Sequence, residues 1–503
     1  MKTQRNLCKI TLLSFAFILF ISFTVKAQNI NPPKPYGVLP SKAQLQWHET
    51  SMYAFIHFTI NTFTNREWGL GDEDPALFNP TDFNADKIVS TIKVSGLKGV
   101  VLTCKHHDGF CLWPTKTTEH NITKSPWKNG KGDVVKDISE ACKKYGLKFG
   151  VYLSPWDRNN PNYGKPEYIK IYRAQLTELL TNYGPIFEVW FDGANGGDGY
   201  YGGAREKRTI DKTTFYDWPN TWSIVRKLQP MATIFGDVGP DQRWVGTEEG
   251  HSGNPCWATF TPHGVTNYDK PSNGDCKTDE SMNGTRNGKF WMPAEVDFSI
   301  RPGWFWHEAE NNKVKSSADL LNHFFNSVGN GANMILNIPP DRRGHVYEKD
   351  SISLVGFGKL IHDMYARNFA TGAIITASNT RGNSPIYSPK LVLDNDRYSY
   401  WATDDSVKTA SLVLQLKGKQ TFNVFRIREN IKLGQRVDDW AIDVMENGKW
   451  KEYAKGLAIG ARRLVRGAMV TTDKVRIRFT NASACPCISE VGIYATPVNL
   501  ETK

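Results

Sequence analysis

The chain has 503 residues, of which 40% are hydrophobic and 12% aromatic, with 16 Trp and a formal charge of +11. That length exceeds one ordinary domain and calls for two or three, and the composition is that of a globular protein. Lys2, Arg5, Lys9 and Lys26 fall in a leader without acids and leave +7 when removed; no basic tract has nucleic-acid character, so the balance reads as a solvated surface and no nucleic-acid partner is expected.

Residues 1–27 read as a secretory signal: a basic start, an apolar run over 10–25, and Val25-Lys26-Ala27 as a cleavage site. A secreted or periplasmic protein with no membrane span after signal removal is expected. Seven cysteines remain after cleavage, an odd number that rules out complete pairing within the chain. Cys104 and Cys142 sit on apolar patterns as buried thiols, whereas Cys256 and Cys276 could bridge across a loop.

After a Pro-rich lead the chain alternates short apolar runs with helical patterns. Strands are predicted at 53–60, 99–104, 149–153 and 187–192, then at 233–237, 244–247, 295–300 and 334–338. Between them run helical spacings such as Ala85, Ile88, Val89, Ile92 and, after Asp133 as a cap, Val134, Val135, Ile138, Ala141, Cys142. Eight βα units in about 300 residues fit a TIM-like (β/α) barrel, with a doubly wound open sheet as the alternative. The barrel is assigned to 28–350 and a bridging helix to 351–370. Residues 371–503, which lack long helical patterns, are assigned to an all-β sandwich. Lys148 and Glu188 lie four residues before Tyr152 and Asp192, so a buried ion pair between them is predicted below the site.

The fourth strand, Phe187-Glu188-Val189-Trp190-Phe191-Asp192-Gly193, alternates so that Trp190 and Asp192 face the lumen, with Asp192 at the C-terminal mouth where such barrels hold their chemistry. Other strand ends supply His57 with Glu67-Trp68, then Lys105-His106-His107-Asp108, then Tyr152. A metal site could draw on His57, His106, His107, Asp108 and Asp192. The first strand lacks a His-x-His pair, however, and adjacent His106 and His107 point to opposite sides of an extended strand, which suits separate roles better than chelation. A glycosidase needs two carboxylates; Asp192 is one, and Glu248, Glu249, Glu295 and Asp297 are candidates for the other.

Phe55-Ile56-His57-Phe58, Glu67-Trp68-Gly69, Lys105-His106-His107-Asp108-Gly109-Phe110, Gly150-Val151-Tyr152-Leu153-Ser154, Val189-Trp190-Phe191-Asp192-Gly193 and Leu336-Asn337-Ile338-Pro339-Pro340 occur in that order. In this ordered set, over 53–341, the chain resembles the α-L-fucosidases of glycoside hydrolase family 29. The resemblance implies a retaining exo-enzyme acting on fucosylated oligosaccharides or glycoconjugates without a catalytic cofactor. It implies Asp192 as nucleophile and a sugar pocket of His57, Glu67, Trp68, His106, His107, Tyr152 and Trp190. Trp244-Val245-Gly246-Thr247-Glu248-Glu249 is similar to the motif of the branch acting on α-1,3/1,4 linkages and implies Glu248 as acid/base, with Glu249 and Glu295 as alternatives. Glu295, Asp297 and Arg301, in a stretch ending at Trp304, are read as pocket wall and support. The tail resembles a discoidin-type, galactose-binding-like module around 393–403, which implies sugar binding, a structural calcium or bracing of the barrel. The rival readings are a metal-dependent barrel hydrolase and an inactive carbohydrate-binding protein.

Overall fold

The computed structural model describes residues 30–497, so the expected signal at 1–27 lies outside the described residues. Eight parallel strands close on themselves: β1 (Met52–Ile56), β2 (Gly99–Lys105), β3 (Lys148–Leu153), β4 (Ile186–Trp190), β5 (Thr233–Gly236), β6 (Gln242–Trp244), β7 (Ala294–Ser299) and β8 (Asn333–Asn337). β8 pairs with β1 in parallel, Met52 opposite Met334, which excludes the open doubly wound sheet. The predicted bounds differ most at β6, which ends at Trp244, and at β1. That strand stops at Ile56 because Thr59 caps a short helix, α2 (Ile60–Thr64), accepting from the Asn61 amide.

Period-two alternation divides the strand side chains into two cores. Tyr53, Phe55, Val101, Tyr152, Trp190, Phe235 and Ile335 fill the lumen. Ala54, Val100, Val151, Val189 and Val296 pack outward under helices α3 (Ala85–Val94), α4 (Val134–Tyr145), α5 (Pro166–Asn182), α6 (Trp218–Leu228) and α7 (Ser317–Asn326). Asp133 caps α4 through the Lys136 amide, and helical spacing puts Val135, Ile138 and Cys142 on its buried face. Truncating one such side chain, for instance Leu176 of α5, would cost roughly 2–5 kcal/mol.

The Pro-rich lead contains a helix the pattern missed, α1 (Lys42–Thr50), started by a Ser41–Gln44 capping box. It plugs the N-terminal end of the barrel. Gln44 donates to the Asp241 and Trp291 carbonyls at 2.7 and 2.6 Å. Trp47 Nε1 donates to Tyr53 Oη at 2.9 Å and Glu188 Oε2 at 3.1 Å.

The predicted Lys148–Glu188 ion pair does not form. The β3–β4 register runs Phe149 opposite Ile186 but Val151 opposite Val189, so β4 carries one extra residue and counting by four along each strand misplaces the pair. Gly150 accommodates this bulge, since a Cβ there would lie 2.8 Å from the Glu188 carbonyl oxygen. Lys148 turns to α1, donating to Thr50 Oγ1 at 2.7 Å and the Gln46 carbonyl at 3.2 Å. Glu188 is buried in the lumen beside Glu295, and burial raises the pKa of both, so the pair retains a proton.

Helix α8 (Glu348–Tyr365) starts three residues before the predicted bridge and leads to the second domain. There β9 (Ile374–Ala377), β10 (Trp401–Ala402), β11 (Ala410–Glu429), β12 (Val437–Glu446), β13 (Lys449–Leu457), β14 (Arg463–Ala482) and β15 (Cys487–Tyr494) form an antiparallel sheet in the order β10-β15-β11-β14-β12-β13, with β9 on β11. β11 is long and irregular, with register shifts against β14 after Gln415 and after Phe422. The domain braces the barrel through Glu49 of α1, which pairs with Arg397 at 3.0 Å and Arg428 at 2.9 Å. Among the described residues no helix is long and apolar enough to cross a membrane.

Candidate active site

A pocket of about 380 Å³ opens at the C-terminal end of the barrel, floored by Phe55, Trp190 and Phe235. A larger cavity of about 710 Å³ lies near the other end, lined by Trp47, Lys148, Phe187 and Met231, but gathers no pair of strand-end carboxylates. Chemistry rather than size selects the first.

Asp192 follows β4 by two residues and lines this pocket. Its Oδ1 accepts from the Ala194 amide at 2.7 Å and its Oδ2 from Tyr152 Oη at 2.8 Å. Burial raises its pKa to about 7, against the pull of those two donors. Gly193 leaves room beyond it, since a Cβ there would fall 2.2 Å from Asp237 Oδ2.

His106 and His107 do not point to opposite sides. β2 ends at Lys105 and the chain turns, the Gly109 amide donating to the His106 carbonyl at 3.0 Å, so both rings face the pocket with centroids 4.1 Å apart. Lys105 is fully buried, pairing with Asp157 at 3.1 Å and donating to Gln175 at 2.9 Å. Burial lowers the pKa of His57 and His107 to about 3 and that of His106 well below its usual value, so all three rings are neutral near pH 7. A neutral imidazole offers one donor and one acceptor. Asn337 gives its amide hydrogens to Ser299 Oγ and the Trp304 carbonyl, so its oxygen accepts from His57 Nδ1 at 2.9 Å and leaves His57 Nε2 as an acceptor. His107 Nδ1 lies 2.7 Å from Ser154 Oγ, and its Nε2 3.6 Å from Asp192 Oδ2.

Glu248, on the loop after β6, lines the same pocket and accepts from Trp304 Nε1 at 3.0 Å. Two of its three rivals, Glu249 and Glu295, are placed elsewhere. Glu249 has a side chain 77% exposed beside His251. Glu295 sits in the lumen, bonded to Tyr53 Oη and accepting from Trp190 Nε1 at 2.9 Å, and so fixes the pocket floor from below. Asp297 does line the pocket; it accepts from Trp244 Nε1 at 2.8 Å, and burial with Glu248 nearby holds its pKa well above the usual carboxylate range.

The other predicted residues divide between the pocket and its frame. Trp68 lines the mouth, 54% exposed, with its ring edge-on to His107 and Trp156. Glu67 stands behind the wall, accepting from the Trp304 and Phe305 amides at 2.8 and 3.2 Å and contacting His307 at 2.6 Å. Arg301 is buried in a two-bond ion pair with Asp350 of α8. Cys256 and Cys276 do not bridge: Cys276 lines the pocket, and Cys256 packs 3.8 Å from Arg243 Nη2. Pattern reading passed over Asp237, whose buried carboxylate accepts from the Gly274 amide at 2.9 Å and has a pKa raised to about 6. Its place directly after β5 was the available signal. Among the described residues no three His, Cys, Asp or Glu side chains are grouped to hold a metal.

The arrangement is a sugar-sized cavity with aromatic faces, neutral imidazoles and four carboxylates, among which Asp192 and Glu248 are held by separate partners. Residues 35–364 match the family model described as alpha-L-fucosidase, and 374–490 that of the F5/8 type C domain. The chain is 41% identical to alpha-L-fucosidase 1 of Arabidopsis thaliana over 97% of its own length and 94% of that protein's. It superposes on a putative alpha-L-fucosidase from Bacteroides thetaiotaomicron with a TM-score of 0.83 and 36% identity, covering 93% of this chain and all of that one. A glycoside hydrolase 29 fucosidase from Ruminococcus gnavus, solved with fucose, gives 0.84 at 31% identity, covering 94% and 98% of the two chains.

Proposed function

The chain belongs to the alpha-L-fucosidase family of glycoside hydrolases, and from that premise we propose a retaining exo-α-L-fucosidase that removes terminal α-1,3/1,4-linked fucose from branched glycans. The observation that carries this reading is the pairing of Asp192, held by Tyr152 and the Ala194 amide, with Glu248 in one pocket.

Ionised Asp192 attacks the anomeric carbon, the glycosidic C–O bond breaks through an oxocarbenium-like transition state, and Glu248 protonates the departing oxygen. A covalent fucosyl ester on Asp192 results. Glu248, now a carboxylate, takes a proton from water as that water attacks the same carbon and displaces Asp192. Tyr152 and Ala194 orient the nucleophile and favour its charged form. His57, His106 and His107 hydrogen-bond sugar hydroxyls without adding charge, and Trp68 and Trp190 offer ring faces to the apolar side of fucose. Glu67, Glu295 and Arg301 hold the wall that these groups stand on. The preference for branched glycans rests on the likeness of the Glu248 loop to that branch.

Activity is expected to survive a chelator. Export is part of the proposal, and the mature secreted or periplasmic protein is expected to begin at Gln28, which N-terminal sequencing of exported protein checks. The deciding experiment follows product anomers by NMR on an α-1,3/1,4-fucosylated oligosaccharide, with Asp192→Ala as control. First release of α-fucose, and its loss in the variant, supports the proposal. First release of β-fucose, or full activity in the variant, overturns it.

A further inference from the structure

Where the barrel meets the second domain, a cavity of about 430 Å³ opens between α8, strand β11 and Arg462, the residue before β14. Its lining combines Lys98, Arg426, Arg428 and Arg462 and the carboxylate of Glu49 with apolar residues such as Phe324 and Ile361. It shares no lining residue with the fucosidase pocket.

The charges do not balance. Arg428 is bonded to Glu49 and Glu490, Arg426 to Glu490, and Arg397 to Glu49. Arg462 is 6% exposed and donates only to the His48 carbonyl at 3.2 Å and Ser51 Oγ at 2.6 Å. Lys98 donates to a carbonyl, that of Glu49, at 2.9 Å. Neither has a carboxylate within 4.0 Å among the described residues. Five cations therefore share two carboxylates, a surplus of three. Arg426 Nε is in addition buried with no partner among the described residues. The crowding shows in the titration: burial and the neighbouring arginines push Arg462 down to about 9, and burial and Arg462 push Lys98 down to about 8.

A surplus of positive charge that includes the buried Arg462 and the half-buried Arg426 and Arg428 is costly unless an anion offsets it. We propose that this junction cavity binds an oxyanion, a sulfate or phosphate group, either free or carried as an ester on a sugar. A guanidinium fork presents two N–H groups that pair with two oxygens of such a tetrahedral anion. The volume exceeds the 380 Å³ of the fucose pocket, which leaves room for a sugar body against Phe324 and Ile361.

The test is calorimetric titration of the full-length protein at constant ionic strength with inorganic sulfate, glucose 6-sulfate and glucose. A melting shift would not suffice, because sulfate stabilises proteins without binding. One saturable site is expected for sulfate, glucose 6-sulfate or both, and none for glucose. Tighter binding of the ester identifies a sugar-borne oxyanion; sulfate alone identifies a free one. Lys98→Gln, at the cavity rim, should weaken binding about two- to fivefold, and Arg462→Gln by at least about tenfold. If Arg462→Gln fails to fold, Lys98→Gln decides. Absence of saturable heat, affinity unchanged in Lys98→Gln, or competitive inhibition of fucoside hydrolysis by sulfate would overturn the proposal.

Discussion

Tyr152→Phe removes one hydroxyl, the one donating to Asp192 Oδ2 at 2.8 Å, and leaves the ring in the lumen cluster. A hydrogen bond to a charged acceptor contributes about 1.5–3 kcal/mol, and one pKa unit corresponds to about 1.36 kcal/mol, so complete loss would raise the Asp192 pKa by about 1–2 units. The Asp192 side chain is 21% exposed; water replaces part of the lost bond, and the lower figure of about one unit applies. The direction follows from the chemistry. Tyr152 stabilises the ionised form, the nucleophile must be ionised, and burial already holds its pKa at about 7. The acid limb of kcat/KM should therefore move to higher pH by about one unit, with roughly tenfold loss below that limb and little loss above it. A pH profile of the wild type and the variant on a nitrophenyl α-L-fucoside measures this. A uniform loss at every pH, with the limb unmoved, would refute the argument that Tyr152 acts on the Asp192 charge.

Glu248→Gln should cost about 10²–10⁴-fold in kcat/KM on an oligosaccharide, whose leaving group needs a proton. It should cost much less in the first step on a nitrophenyl fucoside; equal losses in single-turnover kinetics would count against Glu248 as the acid. Asp192→Asn should stabilise the fold in a pH-dependent way. The native pKa of Asp192 lies near 7, above the ordinary 3.8, so the folded state holds a proton that the unfolded state has released. Wild-type stability falls as pH rises through that window and levels off above it. The Tm advantage of the variant should grow from near zero at about pH 4 to a few degrees at about pH 8, read by scanning fluorimetry; an advantage independent of pH would contradict the shift. Lys148→Met should change unfolding free energy by no more than about 0.5 kcal/mol in urea titration, because its partners are Thr50 and a carbonyl. A loss of about 3–5 kcal/mol would restore the buried ion pair.

The barrel was legible because each strand carries its own alternation, and Val189, Trp190 and Phe191 reveal their faces without reference to a neighbour. Relations between strands were not. The extra residue in β4 is invisible along either strand alone, and it displaced Lys148 from Glu188. His106 and His107 were misjudged for a related reason: an assumed extension of β2 ran past Lys105, where a turn brings both rings to one side. Helix α1 escaped notice because its buried residues include Gln44 and His48 beside Trp47, a poor apolar stripe. Asp192, His57 and Glu248, singled out by strand-end motifs, all line one pocket, since position at the C-terminal ends of β strands is itself a signal. They could not separate Trp68, which lines the pocket, from Glu67, which holds the wall behind it, because adjacent loop residues differ only in what the fold brings against them.

The proposed retaining mechanism passes through a covalent fucosyl ester at Asp192. Trapping the protein with 2-deoxy-2-fluoro-fucosyl fluoride, whose fluorine slows release of the ester, and mapping the labelled peptide by mass spectrometry tests that claim directly. The sugar should be found on Asp192 alone. A label on Asp237, Glu248 or Asp297, the other carboxylates of the pocket, or hydrolysis of the reagent with no label formed, would contradict it.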